Sequence, residues 1–147
     1  RTFDYYLTYY YFHLHKETLK NKIWFRIFVR MQWTTYLWMA LGGGLGTILR
    51  GITNRLIPFD SSTFAWGTFS VNMIGCFLIG FLWGKIESTT LKYFWVTGVL
   101  GGLTTFSGMG LELFRYFNDK AFGLMAIYGM LSLLVGIFMV WLGQKLV

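Results

Sequence analysis

Hydroxyl and aromatic side chains interrupt an apolar segment at residues 104–107 (Thr-Thr-Phe-Ser), directly after the glycine pair at 101–102. Adjacent glycines and hydroxyl side chains favour an opening of the backbone. In a lipid bilayer each unpaired backbone group costs several kcal/mol, so a break of this kind persists only inside protein or beside water. A break at membrane depth with hydroxyls and an aromatic side chain around it is the usual form of an ion site. The stretch therefore predicts an ion site.

A single carboxamide, Asn72, lies near the middle of another apolar segment. A carboxamide in hydrocarbon needs partners, and its NH2 group can donate to an anion. The alternative is an interhelical hydrogen bond without a ligand, worth about 0.6 kcal/mol on average. The hydroxyls of Thr68 and Ser70, at similar depth, favour the anion interpretation.

An aromatic side chain and a polar stripe are further candidates for anion contact. Phe106 and Met109 are three residues apart, so they project from neighbouring parts of one helical face. The positive edge of an aromatic ring can contact a small anion without a formal charge that would trap it. For an isolated phenylalanine, ordinary packing is the alternative. Tyr128 and Ser132, four residues apart, form a short polar stripe on the last apolar segment.

Two charged residues stand near segment ends. Arg50 ends the first apolar segment, where it either reaches the lipid headgroups or forms an electropositive vestibule that attracts anions. Glu112 lies two turns beyond Thr105, toward the end of the third segment, and we expect it to remain near water. Both are candidate vestibule residues.

Composition predicts the elements that must position these side chains. The 147-residue chain is 55% hydrophobic and 13% charged, with a mean hydropathy of +0.51. Soluble domains carry about 25% charged residues, so we predict an integral membrane protein. Four apolar segments approach or exceed the roughly 20 residues that span a bilayer as a helix. They are residues 35–52, 64–83, 94–117 and 121–146. The predicted fold is all-α, with four transmembrane helices per subunit and the third helix broken in mid-membrane.

The same composition argues against other classes. His13 and His15 are the only histidines and Cys76 is the only cysteine, so no Cys/His metal-binding spacing occurs. We find no catalytic constellation and predict that the chain is not an enzyme. The net charge is +7, but most basic residues lie at segment ends or in the first thirty residues. They suit anionic lipid headgroups, and we expect no nucleic-acid partner.

Residues 1–30 differ from residues 31–147, which form the predicted four-helix channel domain. We interpret them as an N-terminal extension, with a natural start expected at Met31; the alternative is a basic and aromatic interfacial helix. With four spans, the later basic residues divide three against four between the membrane sides, a weak bias that permits insertion in both orientations. The two sets are Lys85, Lys92 and Lys145, and Arg50, Arg55, Arg115 and Lys120.

Three motifs in order resemble the fluoride-specific ion channel family (Fluc, also called CrcB), over about residues 36–146. The first is residues 43–50, Gly-Gly-Leu-Gly-Thr-Ile-Leu-Arg. The second is Gly67-Thr68 followed by Asn72 and Gly75, which resembles Gly-Thr-x-x-Val-Asn-x-x-Gly. The third is residues 98–107, Gly-Val-Leu-Gly-Gly-Leu-Thr-Thr-Phe-Ser, and it is highly specific.

The resemblance implies a dual-topology, antiparallel homodimer in the cell inner (plasma) membrane, with two fluoride pores and multi-pass subunits. It implies a structural sodium ion at the dimer centre, held by backbone carbonyls that match Gly101 and Thr104. It also implies a fluoride pathway with supporting residues. These match Asn72, Phe106, Met109, Ser70, Tyr128, Ser132, Thr105 and Ser107.

The implied function is passive, selective export of fluoride that relieves fluoride toxicity. One departure from the family pattern affects it: Gly108-Met109 replaces the usual Thr-Phe, so the second aromatic contact is lost. The alternative is a small four-helix, dual-topology multidrug exporter. Such transporters use a buried glutamate in the first span, and the first span here has no acid. A membrane scaffold that does not conduct is a further alternative.

Overall fold

A computed structural model describes residues 33–147, and this part of the chain is helical apart from short linkers. The helices are α1 (Trp33–Leu56), α2 (Trp66–Lys85), α3 (Thr89–Lys92), a π-helix (Tyr93–Leu100), α4 (Gly101–Leu103), α5 (Phe106–Asn118) and α6 (Phe122–Lys145). Residues 37–147 form one compact unit. Both interpretations of residues 1–30 lie outside the described residues.

The predicted all-α class is confirmed, and the four apolar segments correspond to four helical stretches. The third stretch, called the third span below, runs from α3 through the π-helix and α4 to α5. By length and composition α2 and α6 could each cross a membrane. The 24-residue α1 is long enough but less apolar, and the third span is divided.

Glycines let the helices approach at backbone distance. A Cβ added to Gly46 of α1 would clash with the Val99 carbonyl oxygen in the π-helix. A Cβ added to Gly80 of α2 would clash with the Val140 carbonyl oxygen of α6. In lipid, helix association depends on such van der Waals packing rather than on the exclusion of water. These contacts hold α1 and α6 against the elements that carry the polar residues.

The linker before α2 covers one end of the third span. Tyr116, fully buried on α5, donates its hydroxyl to the Thr63 carbonyl at 2.6 Å. Its ring also meets the Phe59 ring edge-on, with centroids 5.2 Å apart. Ala65 is the N-cap residue of α2 and makes no side-chain cap. Asp60 Oδ1 instead accepts from the Ser62 N–H at 2.8 Å, and this bond lowers the pKa of the Asp60 carboxyl.

Candidate functional site

The third span is interrupted by two extended residues. The helix ends at Leu103, Thr104 (φ −79°, ψ 150°) and Thr105 (φ −149°, ψ 112°) are extended, and α5 begins at Phe106. Thr105 is the N-cap residue of α5, because its hydroxyl oxygen accepts from the Gly108 N–H at 2.9 Å. The break therefore has its own local cap.

The glycine pair does not open the backbone, so this part of the expected reason for the break is wrong, whereas the break does lie at the hydroxyl residues that follow the pair. Gly101 and Gly102 are both helical, within α4. A Cβ at Gly102 would clash with the Gly43 carbonyl oxygen, so this glycine serves close approach to α1. The break follows at two β-branched threonines, which lose side-chain freedom in a helix and favour extended backbone.

Asn72 holds the break from the neighbouring helix α2. Its Oδ1 accepts from the Thr105 N–H at 2.9 Å, and its Nδ2 donates to the Thr105 carbonyl at 3.3 Å. The predicted alternative for Asn72, an interhelical hydrogen bond, is therefore present. The Nδ2 group has two hydrogens, so one donor remains beyond the bond to Thr105.

These side-chain bonds redirect two N–H groups that an unbroken helix would use. An α-helix pairs each N–H with the carbonyl four residues earlier. Thr105 N–H, which would pair with the Gly101 carbonyl, goes to Asn72. Gly108 N–H, which would pair with the Thr104 carbonyl, goes to the Thr105 hydroxyl. The Gly101 and Thr104 carbonyls thus lose their helical partners, as cation ligands must.

A cavity of about 310 Å³ lies on one side of the break. We call it the serine cavity, because Ser132 of α6 lines it with a buried hydroxyl that has no hydrogen-bond partner. A buried polar group without a partner costs about 1–3 kcal/mol. Other predicted site residues line the same cavity. They are Asn72, Gly101, Thr104, Thr105, Phe106 and Met109.

Phe106 and Met109 line this cavity together, but their surroundings differ. The Phe106 side chain is 79% exposed on the single subunit, whereas Met109 is 7% exposed. Met109 packs in a core cluster with Ala65, Tyr116 and Tyr128. Phe106 and Met109 therefore line the same cavity, but one side chain is exposed and the other is buried.

A second cavity, of about 270 Å³, lies on the other side of Thr105, which lines both. We call it the arginine cavity, since Arg50 of α1 and Arg115 of α5 line it. Glu112 also lines it, but the expectation that Glu112 stays near water is wrong, because the residue is 8% exposed. Its carboxylate oxygens accept from two hydroxyls, Thr68 Oγ1 at 2.5 Å and Tyr128 Oη at 2.6 Å.

Three predicted pathway residues line neither cavity. Ser70 is half-buried on α2, and Tyr128 is fully buried. Ser107 is exposed, and its hydroxyl lies 3.1 Å from that of Thr105. Sequence reasoning missed the partners of Glu112 and the position of Arg115. A signal for Arg115 was available, because it lies three residues from Glu112 on the same helical face.

A capped helix break that a half-buried carboxamide holds among apolar helices is typical of a helical membrane protein. Residues 37–144 match the family model described as CrcB-like protein, Camphor Resistance (CrcB), so the chain belongs to the CrcB family. This family is one of ion channels, which are not enzymes.

Proteins named fluoride-specific ion channel are similar to this chain. FluC from Flavobacterium psychrophilum is 37% identical over 115 residues, which cover 74% of this chain and 93% of the relative. FluC 1 from Ligilactobacillus salivarius is 37% identical over 108 residues, covering 74% and 95%. FluC from Helicobacter pylori is 43% identical over 96 residues, covering 59% and 72%.

Proposed function

We propose that this protein is a fluoride-selective channel that lets fluoride leave the cytoplasm passively and so relieves fluoride toxicity. Membership of the CrcB family and the relatives named as fluoride channels support this function. The structural observation that carries it is the serine cavity. There the unpaired Ser132 hydroxyl, the Asn72 amide and the Phe106 ring line one space.

The mechanism follows from the hydration of fluoride. A small anion holds its water tightly, so a selective pore must replace that water with closely placed donors. The Ser132 hydroxyl and the second Asn72 N–H are uncharged donors, and the Phe106 ring edge adds a weak positive field. Uncharged donors bind an anion weakly enough to release it, as conduction requires. A larger halide is too wide and is solvated less well by the same groups.

We infer that each subunit crosses the membrane four times and that the break in the third span lies at membrane depth. Backbone that departs from a helix is tolerated there only inside protein or beside a water-filled cavity, and both cavities adjoin Thr105. We further infer an antiparallel homodimer in the cell inner membrane. The exposed Phe106 ring is an apolar surface that either a partner subunit or lipid would cover.

A structural sodium ion is part of this proposal. Hard monovalent cations prefer oxygen ligands, and the Gly101 and Thr104 carbonyls, which the family resemblance matches to the sodium site, both lose their helical partners at the break. The donor set therefore fits sodium, and these two carbonyls are the residues that would hold it. When bound, the ion supplies positive charge that would stabilise the opened backbone. Among the described residues, no group of three or more His, Cys, Asp or Glu could hold a metal instead.

The alternative function, a small multidrug exporter, is not favoured by the family match. The described residues do include a buried glutamate, Glu112. It lies on α5 and accepts from two hydroxyls, whereas such exporters carry their acid in the first span.

Fluoride release from proteoliposomes, recorded with a fluoride electrode, tests the proposal directly. Wild-type protein should release fluoride and retain chloride, and Ser132→Ala should release fluoride more slowly. The matched control is Ser62→Ala, which removes an exposed hydroxyl in a linker. Folded protein that releases no fluoride would sink the proposal and leave the non-conducting scaffold.

A further inference from the structure

A second arginine, Arg115, lies at the arginine cavity. The vestibule that the sequence predicts around Arg50 does not include Arg115. Arg115 lies on α5, one turn beyond Glu112, and lines the cavity with Arg50 of α1. Its guanidinium carbon is 5.7 Å from the centroid of the Phe59 ring in the linker before α2. A cation–π contact of this kind restrains a long side chain without neutralising its charge.

The side chains that line this cavity carry an excess of positive charge. Glu112 is the only acid among the described residues that line it, against two arginines. Both Glu112 oxygens accept from hydroxyls, Thr68 on one side and Tyr128 on the other. The carboxylate oxygens are therefore directed toward α2 and α6, and with two arginines against one glutamate the lining keeps an excess of positive charge.

The cavity stands next to the proposed fluoride passage. Thr105 lines both the arginine cavity and the serine cavity. Thr105 therefore lies between the serine cavity and an anion held near the two guanidinium groups. Clefts lined by one sign of charge, with apolar walls such as Ile57 and Leu111 here, concentrate counter-ions and raise association rates.

We propose that Arg115 recruits fluoride, by raising the local anion concentration at the arginine cavity together with Arg50. The inference rests on the proposed channel function, and it assigns to Arg115 a role in anion entry. The effect is electrostatic, so it depends on charge rather than on guanidinium shape. It also depends on ionic strength, because Arg115 is exposed and the Debye length falls from about 30 Å at 0.01 M salt to about 3 Å at 1 M.

The test compares three variants in fluoride efflux from proteoliposomes, in sodium gluconate at about 0.01 M and about 1 M ionic strength. Arg115→Gln removes the charge, and Arg115→Lys keeps it. Arg55→Gln is the matched control, since Arg55 lies at the end of α1 and lines neither cavity. We expect Arg115→Gln to slow efflux about threefold to tenfold at low ionic strength, and much less at high ionic strength. Arg115→Lys and Arg55→Gln should stay close to wild type.

Each other outcome is informative. Equal rates for Arg115→Gln and Arg55→Gln at low ionic strength would overturn the role of Arg115 while leaving the channel function intact. A loss in Arg115→Gln that is the same at both ionic strengths, and is shared by Arg115→Lys, would show a packing role against Phe59 and also overturn it. If wild-type protein itself releases no fluoride, the proposed channel function fails first. Elution of each variant at the wild-type position in gel filtration establishes that it is folded.

Discussion

The Asn72 carboxamide binds both polar atoms of the Thr105 backbone, accepting from its N–H at 2.9 Å and donating to its carbonyl at 3.3 Å. Thirty-three residues separate the two in the chain. One side chain of α2 therefore takes the place of a helical turn in the third span. Because the same amide lines the serine cavity, fold and proposed function meet at this residue.

Asn72→Leu should lower both stability and fluoride efflux. Leucine keeps the branching of asparagine but leaves the buried Thr105 N–H unpaired, which costs about 1–3 kcal/mol. It also removes an anion donor from the serine cavity. Thermal unfolding in detergent and efflux from proteoliposomes measure the two effects. Gln144→Leu is the control, because it removes an exposed carboxamide from α6. Wild-type efflux in Asn72→Leu would exclude Asn72 from the pathway.

Phe106→Ile should impair fluoride efflux much more than Met109→Ile does. Isoleucine lacks the ring edge proposed to contact fluoride, and Phe106 is exposed enough that its loss should change subunit stability little. Met109 is buried in the cluster with Tyr116 and Tyr128, so its replacement should instead lower the free energy of unfolding, by up to about 1.5 kcal/mol. Parallel efflux and unfolding measurements separate the two effects. Equal losses of efflux would contradict the asymmetry.

Thr68→Val and Tyr128→Phe should each destabilise the protein by about 1–3 kcal/mol, because each removes one donor from the buried Glu112 carboxyl. Both changes keep the shape of the side chain, and the Tyr128 ring retains its edge-on contact with Phe64. Thr47→Val is the control on an exposed hydroxyl of α1. A double-mutant cycle checks the coupling, since groups that share one carboxyl are not additive. Additive losses would show that the two hydroxyls act independently.

Gly102→Ala should disrupt packing, whereas Gly44→Ala should not. A Cβ at Gly102 would clash with the Gly43 carbonyl oxygen, and a Cβ at Gly44 would meet nothing within 4 Å. Moving α1 away from the third span would forfeit the contacts that hold the helices together. We expect a lower yield of folded protein and a lower unfolding temperature for Gly102→Ala alone. Equal yields and unfolding temperatures for the two variants would show that α1 and the third span are not closely packed at Gly102 in the membrane.

The same glycine shows how far the sequence could predict this structure. Apolar segment lengths predict where helices form, because a helix satisfies its own backbone locally. Residues 101–107, which include Gly102, also predicted the region of the break. They could not show which residues are extended, because the extended backbone at Thr104 and Thr105 depends on the Asn72 carboxamide of another helix. The burial of Glu112 was missed for the same reason, since Thr68 lies 44 residues away.

Removal of sodium should destabilise the wild-type protein, and Asn72→Leu should weaken this dependence. A ligand that binds only folded protein at about 100 times its Kd adds about 2.7 kcal/mol. In Asn72→Leu both bonds that hold the Thr105 backbone are lost, so the Gly101 and Thr104 carbonyls, the proposed sodium ligands, are less well fixed in position. Unfolding temperature and dimer fraction, measured in sodium and in N-methyl-D-glucamine, test this. Thr104→Val is the control, because it removes the hydroxyl that donates to Leu100 but keeps the Thr104 carbonyl. The same sodium dependence in all three proteins would contradict the link between Asn72 and the cation site, and no dependence in wild type would remove the ion from the proposal.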